Sequence, residues 1–180
     1  MRLLSFRDAV VAGISQALTE LKSCEAHGGR FDEKELRRYA LRAPAVLVAV
    51  RRIPALAAEN EITPTLTCAA FVVTRDARGR PRDAAGLALV EALLQVVANN
   101  TWGLDWAHRP QRLEADNLYS AALDKQGVAL WGVAWQQAVD LAPEVDSATL
   151  ADFITHHQDY DLAPADGTAD ASDTITLAQE

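Results

Sequence analysis

Apolar residues between Ser5 and Ala26 recur every three or four positions, at Val10, Val11, Ile14, Leu18 and Leu21, which is the repeat of one helical face. The spacing predicts an amphipathic helix over that span, with Ser5 as N-cap, Asp8 in the first turn and the glycines of "HGG" as the stop. The next segment, "FDEKELRRYAL", reads as a short helix capped by Asp32, halted because the residue before Pro44 is pushed towards extended backbone. The period then changes. "PAVLVAVRRI" is continuously apolar through its middle, as in a strand covered on both faces, and the β-branched and aromatic content of "TLTCAAFVVTR" predicts a second strand. A helix follows at about 84–98, opened by Asp83 and carrying Leu87, Leu89, Val90, Leu93, Leu94, Val96 and Val97. So broad an apolar face requires cover from the sheet and from the first helix or another subunit. "QRLEADNLYSAAL" and "VALWGVAWQQAV" supply two more strands, joined by "DKQG", which has the composition of a tight hairpin turn.

This order specifies an α+β fold with two main helices packed on a mixed or antiparallel sheet of about four strands. Trp131 and Trp135 share a strand at a spacing of four, so both face one side and are expected beneath a helix. Trp102 and Trp106 are expected to close over the core or to anchor an interface. The α+β body is read as residues 1–146 and an extended C-terminal arm as 147–180. The arm is expected to open with a helical turn in "SATLADFITHH", loosen through "LAPADGTADASD" and end in the strand-like "TITL". Phe153, Tyr160, Leu162, Ile175 and Leu177 are too many apolar anchors for a purely solvated tail, so the arm is expected to dock intermittently on another surface.

Composition limits the rest. At 180 residues and 49% apolar, the chain can bury one real core but not two large ones. The longest apolar run, residues 43–50, is far short of the roughly 18 that suggest a membrane span, and Arg7 and Asp8 interrupt the N-terminal apolar stretch, so no export signal is read. A soluble protein of the cytoplasm is expected. Cys24 and Cys68 stand far apart with no ligand-like cysteine near either, which predicts neither a disulfide framework nor a zinc site. Charge is unevenly placed. Residues 140–180 hold ten acids and no Lys or Arg, leaving 15 of the 25 acids against all 17 bases in the preceding chain. An acidic tail repels phosphate backbones and suits solvent or a basic protein surface.

Chemistry is thinly represented. His156 and His157 beside Asp159 and Asp161 are the one cluster suggestive of a metal or a general base, but zinc needs three or four convergent ligands and adjacent histidines point apart. The acids of "DYDLAPADG" lack the register and closing Glu of a calcium loop. None of the common phosphate-cradling, nucleophile-elbow or metalloprotease patterns occurs, and "HGGR" reads as a helix stop. The expectation is a protein that is not an enzyme and uses no cofactor or metal. The loop "RDARGRPR" gathers Arg75, Arg78, Arg80 and Arg82, and "LRRYALR" adds Arg37, Arg38 and Arg42. The first loop reads either as a solvated segment or as a grip on phosphates or an acidic protein surface, nucleic acid being disfavoured by the lack of interleaved aromatics and the net charge of -8. The second adds a docking surface, and the acidic arm of a neighbouring subunit is a suitable partner.

The succession "ELRRYALRAPAVLVAV", "CAAFVVTRDARG", "AAGLALVEALLQVVANNTWGL" and "LYSAALDKQGVALWGVAWQQAV", closed by "DYDLAPADGTADASDTITL", resembles the Mu-like phage family of tail terminator, or tail completion, proteins over nearly the whole chain. None of these segments is catalytic. The resemblance implies a virion structural protein: a ring, usually hexameric, that caps the head-proximal end of the tail tube, ends tube polymerisation and joins the tail to the neck or connector. Its partners would be other copies of itself, tail tube protein and the neck or connector protein, with a lumen that can pass DNA without specific binding and no membrane. A reading from another class is a non-virion module that recruits a protein through its acidic arm.

Overall fold

Residues 65–75 form the central strand of the body, and their composition shows why. Leu66, Cys68, Ala70 and Val72 face one side, Ala69, Phe71 and Val73 the other, and all seven are buried. A strand apolar on both faces is stable only with both faces covered. The computed structural model describes residues 1–29, 38–56, 62–118, 123, 127–142, 155–162 and 167–177. The chain divides into two compact units, Met1–Ala142 and Pro143–Glu180.

In the first unit the order is α1 (Arg2–Ala17), β1 (Ser23–Ala26), β2 (Ala45–Arg52), β3 (Thr65–Arg75), α2 (Arg82–Val97), β4 (Gln111–Asn117) and β5 (Val128–Ala138). The strands form one mixed sheet in the order β1-β2-β3-β5-β4, parallel between β1 and β2 and antiparallel elsewhere. The fold is α+β, with five strands where about four were expected. The additional strand is β1, which falls within the span expected of the first helix. Helix α1 instead ends at Ala17, and Ser23–Ala26 pairs with Ala45–Val48. Flanking bonds from Lys22 N–H to the Pro44 carbonyl (2.9 Å) and from His27 N–H to the Val48 carbonyl (2.7 Å) extend that pairing. A parallel partner distant in sequence satisfies these backbone groups, and no local pattern reveals it. Helix α1 also starts earlier than expected, with Met1 rather than Ser5 at its N-cap.

Both helices cover one face of the sheet. Phe6, Val10 and Ile14 of α1 and Val90, Leu93 and Val97 of α2 meet Val46, Val48, Leu66, Val72, Val133 and Trp135. Trp131 and Trp135 do lie on this helical side: Trp135 is fully buried, and Trp131 is close enough to Gly86 of α2 that a Cβ there would stand 3.2 Å from its ring. Trp102 packs its ring on Gly13 of α1, where an added Cβ would approach to 2.8 Å. The other face is covered by Tyr39, Ala40, Ala43 and Leu123 over Ala45, Leu47, Phe71, Val73 and Leu130. Residues 38–40 are helical, while 30–37, which include Asp32 of the expected short helix, lie outside the described residues.

A buried amide fixes one end of the helical core. Gln137 accepts hydrogen bonds from the indole N–H groups of Trp102 (3.0 Å) and Trp135 (3.1 Å) and donates to the carbonyls of Asn100 (3.1 Å) and His108 (2.6 Å). All four bonding positions of the side chain are used, which makes a fully buried polar residue tolerable. The β4–β5 register runs to Asn117 and Trp131, and one further bond joins Leu118 N–H to the Leu130 carbonyl (2.9 Å) before "DKQG". Of that expected tight turn, residues 124–126 lie outside the described residues and Gly127 takes φ +64°.

The second unit contains an antiparallel hairpin, β6 (Thr155–Tyr160) and β7 (Ala171–Thr176). Residues 155–157 were expected in a helical turn and are extended instead, because they pair with Thr174–Thr176. The strand character of "TITL" is seen in β7.

Candidate protein interface

The basic loop is a built structure. Its tip is a four-residue turn in which Ala77 and Arg80 exchange backbone hydrogen bonds (3.1 and 2.9 Å), with Gly79 at φ +77°, a conformation suited to glycine. Its base is fixed to the start of α2. One Asp76 carboxylate oxygen accepts from the Arg82 backbone N–H and the other from its guanidinium, both at 2.9 Å. The first N–H groups of a helix have no partner within it, so Asp76 caps α2 from six residues upstream. The backbone bond from Arg82, foremost, and its guanidinium hold the Asp76 carboxyl below the usual carboxylate range. Buried Thr74 donates its hydroxyl to the Arg82 carbonyl at 2.9 Å.

The four arginines are therefore not equivalent. Arg82 is half-buried and engaged with Asp76, and Arg80 lies 3.7 Å from Glu20. Arg75 and Arg78 are exposed and make no ion pair with a described residue. The second basic segment is elsewhere. Arg38 lies over the Tyr39 ring at 5.5 Å, on the sheet face opposite the helices, and Arg42 pairs with Glu25. Arg37 lies outside the described residues.

Behind the basic loop, on the helical side, runs a groove of about 810 Å³. Its apolar walls are Leu18 and Leu21 after α1, and Ala85, Ala88, Leu89 and Ala92 along α2. Lys22, Arg75 and Arg80 stand at the margin with Glu20 and Asp76. Since Glu20 and Asp76 already face Arg80 and Arg82, Lys22 and Arg75 leave the rim with a surplus of positive charge. The groove explains the excess apolar character of α2: the sheet buries Val90, Leu93 and Val97, while Leu89 and the alanines face the groove and Leu87 remains 54% exposed. The breadth of the α2 face signalled uncovered surface in the sequence, but only the separation of the two helices over the sheet shows the groove.

The hairpin supplies a surface of complementary character. Register places His156, Gln158 and Tyr160 opposite Ile175, Asp173 and Ala171 on one face, and Thr155, His157 and Asp159 opposite Thr176, Thr174 and Ser172 on the other. The second face is polar, and His157 bonds Thr174 (2.6 Å) and Asp159 (3.0 Å) there. The first face carries the apolar anchors. Tyr160 is 41% exposed and Ile175 52%, with Leu162 and Leu177 exposed just beyond the strands. Phe153 lies outside the described residues. Several acids shape the hairpin: Asp161 accepts from the Gly167 N–H and Asp170 from the Leu162 N–H, both at 2.8 Å. Asp173 stands on the apolar face with no Lys or Arg in its unit to meet it. His156 and His157 fall on opposite faces, and no cluster of three or more His, Cys, Asp or Glu suited to a metal is present among the described residues.

Both thiols are removed from ready chemistry by burial. Cys68 is pushed up to about 12, and Cys24 to about 11 by burial and the neighbouring Glu25. No helix among the described residues is long and apolar enough to cross a membrane.

No protein-family model matches the chain. The chain is similar to a Mu-like prophage protein. That relative, the Mu-like prophage FluMu protein gp37 of Haemophilus influenzae, is 27% identical over 167 residues, covering 87% of this chain and 79% of its own length. The similarity spans most of the chain and supports a phage-related role.

Proposed function

We propose that the protein is a phage tail terminator: a virion structural protein, not an enzyme, whose copies form a ring, hexameric as the family resemblance implies, on the head-proximal end of the tail tube. The ring ends tube polymerisation and offers a surface to the neck or connector. The reading is carried by a phage relative matched along most of the chain, and the two kinds of unmatched surface on one molecule agree with it. A closed ring of identical subunits needs two different, complementary patches on each, because head-to-tail contacts are heterologous. The body offers a basic-rimmed groove and the hairpin a face carrying Tyr160, Ile175 and Asp173.

Contact through the hairpin would be driven mainly by apolar burial, with charge setting orientation. Covering the exposed portions of Tyr160, Leu162, Ile175 and Leu177 is worth about 3–6 kcal/mol at roughly half of the 1.5–3 kcal/mol of a fully buried large side chain. Association itself costs about 4–15 kcal/mol of lost freedom. A single hairpin contact is therefore weak alone and effective when repeated around a ring or supported by a tube.

Light scattering after size exclusion, with and without tail tube protein, tests the proposal. A ring-sized species, formed alone or on addition of tube protein, is expected. A monomer that ignores tube protein at every concentration overturns it and favours the protein-recruiting module.

A further inference from the structure

We infer that the occupant of the groove between α1 and α2 is the β6–β7 hairpin of a second copy of this chain, seated apolar face inward with Asp173 directed at Arg75. The inference deepens the ring reading by naming the contact, and three features lead to it. The groove is apolar within, through Leu18, Leu21 and Leu89, and the hairpin face carries Tyr160 towards one end and Ile175 towards the other. The groove rim has cationic surplus at Lys22 and Arg75, while the hairpin unit contains acids and no Lys or Arg. Asp173 lies between Ala171 and Ile175 on that face, opposite Gln158, and burying it requires a cation, which this rim supplies.

The groove is walled by the segment after α1, by α2 and by the end of the central strand β3 with its loop, so it presents no open sheet edge and the hairpin enters as a formed two-stranded element. Alanines at 85, 88 and 92 leave depth for branched side chains such as Ile175. In the ring each copy gives its hairpin to one neighbour and receives that of another, so the contact is head-to-tail and propagates until it closes, whereas reciprocal exchange would stop at a dimer.

Variants of the full chain, each with one cysteine added to the native Cys24 and Cys68, test the contact. Ala88→Cys and Ile175→Cys are purified separately, mixed at the highest concentration that remains soluble, and oxidised without tube protein. The expected product is a disulfide-linked dimer in the mixture and none from either variant alone or from the wild-type chain with Cys24 and Cys68. The Ala92→Cys and Leu177→Cys pair repeats the test should one of the first variants fold poorly. The double variant Ala88→Cys/Ile175→Cys should yield a ladder of linked copies. No cross-link in either mixture overturns the inference, and so does a double variant that closes only within one chain. Asp173→Lys should lower the cross-linking yield at least fivefold, with recovery when the acceptor variant also carries Arg75→Asp; an unchanged yield refutes the Asp173–Arg75 pairing. Tube capping is measured separately. Cross-linking without capping retains this contact and sinks the terminator role, whereas capping without cross-linking does the reverse.

Discussion

Replacing Gln137 by leucine removes the one side chain that joins two indoles to two carbonyls inside the helical core. The variant keeps similar volume but leaves the Trp102 and Trp135 N–H groups without their acceptor. Trp135 is 1% exposed and Trp102 8%, so neither regains water. Each stranded donor costs about 1–3 kcal/mol. The Asn100 and His108 carbonyls lose donors too, but they belong to half-buried and exposed residues and are more easily hydrated. Gln137→Leu is therefore expected to destabilise the body by roughly 2–5 kcal/mol, a large part of the 5–15 kcal/mol that holds a typical domain. Urea unfolding followed by far-ultraviolet circular dichroism measures it. In a Trp102→Phe background the same substitution should cost about 1–3 kcal/mol less, because one stranded donor is already absent. A penalty below about 0.5 kcal/mol, within the range of ordinary surface changes, or an equal penalty in both backgrounds would refute the reasoning.

Truncation after Ala142 should leave a folded body with nearly unchanged unfolding and abolish self-association, as measured by circular dichroism and light scattering; an unfolded product would place the C-terminal unit in the body's own core. Gly13→Ala should destabilise the body by about 1–2 kcal/mol in thermal unfolding, despite the better helix propensity of alanine, because the new methyl meets the Trp102 ring at 2.8 Å. The Asp76 carboxyl is held below its ordinary value, so its contribution is present above the unfolded carboxylate pKa and fades as pH falls through the lowered folded one. The Asp76→Asn variant should accordingly differ most from wild type near neutrality and converge with it in acid. Cys24 and Cys68, raised to about 11 and about 12, should react with a thiol reagent at neutral pH far more slowly in the native protein than in urea.

Sequence by itself determined the α+β class, the two helices, and β2, β3, β4 and β5, because these elements carry their own local pattern: apolar on both faces in the central strands, three-and-four spacing in α1 and α2. It also marked both the basic loop and the acidic arm. The tertiary structure decided what each became. Leu21 continues the apolar period of α1, yet β1 follows it, since Ser23–Ala26 finds a parallel partner in Ala45–Val48. Four arginines in eight residues look alike until Asp76 engages Arg82 at the helix start and leaves Arg75 and Arg78 exposed. Tyr160 and Ile175 are only two apolar residues in a polar tail until cross-strand register puts them on one face with Asp173. The groove has no local sequence signature, because its walls come from residues near 20, near 75 and along α2, and only the packing of both helices on one sheet brings them together.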